Sequence, residues 1–149
     1  MLNNNNTGNI PAELSSRLAY VGRYTASNAI LAIPNIDLDT YDYVIFIHGY
    51  LNETTDFVFG FPDLSTWTTR TRDNSVLNYG GAYLEWSTTF CSTLFISKRD
   101  GVTTLLNCGV GGGAYSSTTA TGTSFVFHKY RSSLGALVDG SAIVYRCNK

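Results

Sequence analysis

Charge is what this sequence has least of. Only 14% of its 149 residues are Asp, Glu, Lys or Arg, against about 25% in an average soluble domain. The formal net charge is −1, and the ten basic residues are scattered with no Lys/Arg run. Binding a phosphate backbone needs clustered cations, so no nucleic-acid partner is expected. Long apolar runs are missing too: nothing approaches the roughly 18 residues of a spanning helix. The opening MLNNNNTGN is polar from its third residue, so neither export through a signal peptide nor membrane insertion is expected. Cysteines are few and never occur as C-x-x-C. Cys91, Cys108 and Cys147 each sit in an apolar stretch (TFCSTLF, LLNCGV, IVYRC). That pattern predicts buried, reduced thiols of a chain folded in the cytosol, with one disulfide plus a free thiol as the alternative; no zinc pattern can be drawn.

What remains is rich in rings and hydroxyls. Hydrophobic residues make up 44% and aromatics 13%. A free small domain usually needs charge to stay soluble, so a charge-poor, ring-rich surface suggests one covered by partners. The length fits one domain with one core. Residues 1–9 are Asn-rich with too little apolar content to fold alone, and they read as an arm. In NIPAELSSRLAYV, Pro11 suits a first helical position. Leu14, Leu18 and Val21 have helical spacing, which predicts at most one or two helical turns.

From Gly22 onward the reading is β. Candidate strands cover residues 23–24 onward, 29–33, 43–48, 56–61, 82–86, 89–97, 103–107, 124–130 and 142–147. Turn signals such as NIDLDT, LNETT and RDG separate them. In KRDGVT the Asp-Gly pair predicts a type I′ hairpin. The glycine-rich CGVGGGAYSSTTATGTS supplies no core and reads as a long loop or weak edge strands. The expected fold is therefore all-β: a single antiparallel β-sandwich or jelly-roll-like domain over residues 23–149, with residues 1–22 as an N-terminal docking arm.

Two strands are apolar on both faces. In YVIFIH, Tyr43, Ile45 and Ile47 point one way while Val44, Phe46 and His48 point the other, and FVFGF with Phe57 and Phe59 has the same character. One face of an antiparallel sheet is ordinarily wet. A second greasy face asks for cover, and with almost no helix available a neighbouring subunit is the expected cover. Tyr43, Ile45, Ile47, Phe57 and Phe59 are the expected contacts of a homo-oligomer.

Catalytic patterns were sought and found wanting. VIFIHGY has the look of a hydrolase oxyanion strand, yet no G-x-S-x-G elbow exists and no crossover helices are available. A small hydrolase built on His48 or His128 therefore ranks last, and no catalytic residue is assigned. Asp37, Asp39 and Asp42 lack the spacing of a calcium loop and read as turn chemistry. GVGGG lacks the Lys-Ser/Thr of a phosphate loop, so no cofactor or metal is expected. The segment with most binding character interleaves Trp67, Tyr79 and Tyr83 with Arg70 and Arg72. Rings stack on sugar faces while guanidinium groups hydrogen-bond hydroxyls, so a carbohydrate-binding module is the alternative reading. The same residue types are enriched at protein interfaces.

The order of these segments resembles the small β-sandwich proteins and domains of tailed-bacteriophage virions, found in tail fibres and on capsid surfaces. The likeness runs from AILAIPNIDLDTYDYVIFIHGYLNETTDFVFGF through NYGGAYLEW and a glycine-rich loop to DGSAIVYRC, about residues 26–147. It rests on order and texture; the cysteine-bearing strands and the length of the Gly/Ser/Thr loop do not match. The resemblance implies a non-enzymatic virion structural protein assembled in a host cytoplasm. Its partners would be other virion proteins, with further copies of itself in a trimer and, through exposed loops, a host-surface glycan.

Overall fold

The computed structural model describes residues 17–26, 31–60, 67–70, 76–79, 82–109, 113–118, 123–129 and 137–149. For residues 51–60, 67–70, 76–79, 82–88, 90, 127–129 and 137–139 it describes the backbone alone. These residues form ten strands: β1 (Leu18–Thr25), β2 (Leu31–Ile33), β3 (Tyr41–Gly60), β4 (Trp67–Arg70), β5 (Val76–Tyr79), β6 (Ala82–Arg99), β7 (Val102–Asn107), β8 (Gly113–Ser117), β9 (Phe125–Lys129) and β10 (Leu137–Asn148). No helix occurs among the described residues, and every pairing is antiparallel. The strand order is β1-β10-β3-β6-β7-β8-β4-β5, with β9 joining β2 to the far half of β3.

The all-β expectation holds, and the layers explain how. Six strands, β1-β10-β3-β6-β7-β8, make the main layer, and the β2–β9 ribbon forms a second layer against one face, as in a β-sandwich. Period-2 alternation places Tyr43, Ile45 and Ile47 on that inner face. Register sets them beside matching apolar residues: Ile45 opposite Val144 and Leu94, Ile47 opposite Ala142, and Tyr43 opposite Ile96. Leu31, Ile33 and Phe125 of the ribbon close the core from the other side, each fully buried. Phe125 meets Tyr43 edge to face with ring centroids 5.7 Å apart. Each such side chain removed from water contributes about 1.5–3 kcal/mol. The one polar atom of Tyr43 is satisfied, because its hydroxyl accepts the Asp37 N–H at 2.9 Å. Burial pushes the Tyr43 phenol above its ordinary value.

Turn chemistry is local and legible. Asp100 and Gly101 take φ of 50° and 76° between β6 and β7, the two positive angles of the type I′ turn that Asp-Gly predicts. The Asp37 carboxylate accepts the Asp39 and Thr40 N–H groups, both at 3.1 Å, and so builds the corner that enters β3.

Three expectations are corrected. Leu18 and Val21 lie in β1, paired with β10, so their helical spacing is overridden by a ladder of seven partner pairs with that strand. Residues 18–22 therefore belong to the sheet, and the expected arm keeps only residues 1–17, of which 1–16 lie outside the described residues. LNETT is no turn: β3 runs through it, and the extra residues are absorbed as a register shift between Tyr50 and Thr55 against β6. The glycine-rich stretch does supply core: its strand β8, which the reading as weak edge strands allowed, carries the buried Tyr115.

Candidate functional site: an apolar outer face

The face of the main layer turned away from β2 and β9 carries the outward set of each strand. On β3 these are Asp42, Val44, Phe46, His48 and Tyr50. Pairing carries one apolar row unbroken across all six strands: Tyr20, Tyr145, Val44, Phe95, Leu106 and Ala114 are successive cross-strand partners. A second row runs Arg23, Ile143, Phe46, Thr93. Tyr20 meets Tyr145 within the first row at 5.7 Å, and Tyr145 meets Phe46 of the second at 6.0 Å, both edge-on. Phe46, Phe95 and Leu106 are each nearly half exposed, and Tyr20 is 62% exposed. An antiparallel sheet normally turns polar residues to water. Here the wet face is apolar along its whole width.

The face is not flat. Over β3, β6, β7 and β8 it sinks into a trough of about 720 Å³, floored by Val44, Phe95, Leu106 and Ala114 with Ser97 and Thr104 along one side. On the β1–β10 side Tyr20 and Tyr145 stand as a ridge. Asp42, the one charged residue among those lining the trough, is held by Arg99 in a two-pronged pair at 2.8 and 2.6 Å. That carboxylate holds the Arg99 guanidinium above its ordinary value. Lys98 reaches Asp39 at 2.8 Å, and the Lys149 ammonium donates to the Leu38 and Lys98 carbonyls. Asp37, Asp39 and Asp42 thus serve a turn and two ion pairs, in keeping with their spacing. Hydrogen bonds from Thr40 hold the Asp37 carboxyl below its usual range.

His48 sits on the same outer face. Its Nε2 lies 2.6 Å from Ser141 Oγ, and Cys91 is its direct partner on β6. A Ser–His contact invites a hydrolytic reading, but its surroundings do not support one. Ser141 is only 4% exposed, and both residues lie mid-strand, where backbone N–H groups are committed to the ladder. The backbone donors of these two strands are thus not set in pairs toward an oxyanion. Among the described residues, no three His, Cys, Asp or Glu side chains converge to hold a metal ion.

The residues singled out in the sequence are distributed unevenly. Tyr43, Ile45 and Ile47, expected at a subunit contact, are covered by the chain's own β2–β9 layer; the outward set is Val44, which is half-buried, with Phe46 and His48, which are exposed. Alternation made the two sets equivalent in sequence, and only the placement of β2 and β9 tells them apart. Phe57 and Phe59 pair by backbone with β6 and β9. Trp67 and Tyr79 are brought opposite each other in the β4–β5 pair, and Arg70 faces Val76. Tyr83 lies apart on β6, opposite Val58, and Arg72 lies outside the described residues. All three cysteines are free thiols, but Cys91 and Cys108 are exposed and Cys147 is half-buried, not the buried set expected. Burial and the nearby Asp42 carboxylate push the Cys147 thiol up. Phe95 and Leu106 were missed as surface residues. Their signal lay in TLFISK and VTTLLN, where apolar residues occupy both parities of a strand.

No protein-family model and no curated protein sequence matches this chain.

Proposed function

We propose that this chain is a non-enzymatic assembly protein and that its outer apolar face is the surface through which it assembles. The observation that carries this reading is the six-strand row from Tyr20 to Ala114. With Leu18, Phe46, Tyr50 and Ile143 beside the Tyr20, Phe95 and Leu106 of that row, the face carries seven exposed large side chains. With aromatic side chains offering about 150–250 Å² each, their exposed fractions amount to roughly 600 Å², at the upper limit of what a monomer leaves open. The resemblance to phage virion domains supplies the setting: a structural component of a tail fibre or capsid surface, where repetition of weak contacts raises avidity. The low charge and the all-β scaffold support that setting.

The test is sedimentation of the full chain across a concentration series. Assembly is expected, and Phe46→Asp should abolish it while circular dichroism keeps its β signature. A strict monomer at every concentration, with no partner surface that Phe46→Asp disrupts, would count against the proposal. The carbohydrate alternative draws support from the Trp67–Tyr79 register. It predicts glycan-array binding by a monomer, lost in Trp67→Ala.

A further inference from the structure

Resting on that assembly reading, we infer that the occupant of the outer face is a second copy of this chain, packed face to face about a two-fold axis parallel to the strands. The argument lies in the order of sizes along the row. From β1 to β8 it reads Tyr20, Tyr145, Val44, then Phe95, Leu106, Ala114. A two-fold axis between β3 and β6 folds this row onto its own copy. Tyr20 then meets the partner's Ala114, Tyr145 meets the partner's Leu106, and Val44 meets the partner's Phe95. Every large side chain faces a smaller one. The ridge of each copy enters the trough of the other, as an isologous contact requires.

Charge and area agree. The next row folds equally well: Asp42 comes opposite Ser97, and its carboxylate is already neutralised by Arg99, so no two bare carboxylates meet. Four strands (β1, β10, β3 and β6) at about 4.8 Å, by eight residue steps from Asp42 to Tyr50 at about 3.4 Å, with β7 and β8 alongside over about three of those steps, give roughly 600 Å² in plan. That is about three quarters of the ~800 Å² each partner contributes to a standard stable interface. Stacked sheets pack about 10 Å apart, the spacing that a Tyr-over-Ala contact fills.

Light scattering on the full chain should give twice its 16.3 kDa mass. Tyr20→Asp on the ridge and Ala114→Arg in the trough should each weaken the dimer at least tenfold. The double variant should regain it, because each new carboxylate then meets the other copy's guanidinium. Should either single variant fail to fold, a Tyr20→Cys/Ala114→Cys chain with Cys91, Cys108 and Cys147 replaced by Ser should cross-link between copies on oxidation. A trimer, or a dimer indifferent to all these substitutions, overturns the two-fold pairing and leaves the assembly reading standing. A monomer that docks through Phe46 on a different protein overturns the second copy alone. A monomer with no docking partner overturns both.

Discussion

The two faces of the main layer have nearly the same composition and opposite circumstances. On β3, Tyr43, Ile45 and Ile47 look inward and are at most 2% exposed, while Val44 and Phe46 one residue away look outward, Phe46 at 46%. Both sets belong to one continuous strand and obey one alternation. What separates them is cover: the β2–β9 ribbon, with Leu31, Ile33 and Phe125, lies on one side only. Hydrophobicity along a strand therefore tells how many faces want burial, and tertiary structure decides which face the chain buries by itself.

That contrast can be broken by substitution. The largest effect is expected on the inner face, where Ile45→Ala should cost about 2–5 kcal/mol by denaturant unfolding, because the cavity it leaves is closed in on both sides. Gly109→Ala comes next. Its new Cβ would stand 1.9 Å from the Oγ of Ser92, a buried inward residue opposite Ile47, so the neighbourhood must shift. Overpacking of this kind costs about 1–3 kcal/mol. Phe46→Ala on the outer face should cost the isolated subunit only about 0.2–1 kcal/mol, the worth of a cross-strand pair. If it costs as much as Ile45→Ala in a protein shown to be monomeric, the distinction between the faces fails.

The smallest effect is a matter of pH and sharpens the comparison from the edge of the sheet. Asp37 titrates below its ordinary value of 3.8 in the folded chain, so its contribution is present above that value and fades as pH falls below it. Asp37→Ala should flatten the acid limb of a melting-temperature profile and leave neutral assembly unchanged. A shift in assembly with that substitution would tie the Asp37 corner to the outer face, which its position at the entry of β3 does not suggest.

Much of the fold was legible. RDG announced the β6–β7 turn because two adjacent positive φ angles have few sequence solutions. YVIFIH announced a doubly apolar strand, since on a period of two its five greasy residues fall on both faces. Assigning its two faces was beyond reach, because the cover comes from elsewhere: Phe125, far along the chain, meets the Tyr43 ring. β4 and β5 were not read as separate strands, for Thr, Arg and Asn carry little pattern without their partners. The site was legible only as a demand for cover. The row from Tyr20 to Ala114 exists through register between strands far apart in sequence, and no local window contains it.

That same register has a consequence in time. β10 comes last of the ten strands in chain order, yet it lies between β1 and β3 and pairs with both. The β6–β7 hairpin closes locally, on a scale of microseconds. Among the described strands β1 pairs with β10 alone, so its ladder forms only once β10 has docked. Until that docking, Tyr20 and Val44 belong to no common sheet. The trough can form from β3, β6, β7 and β8 alone, whereas the ridge of Tyr20 and Tyr145 waits for β10.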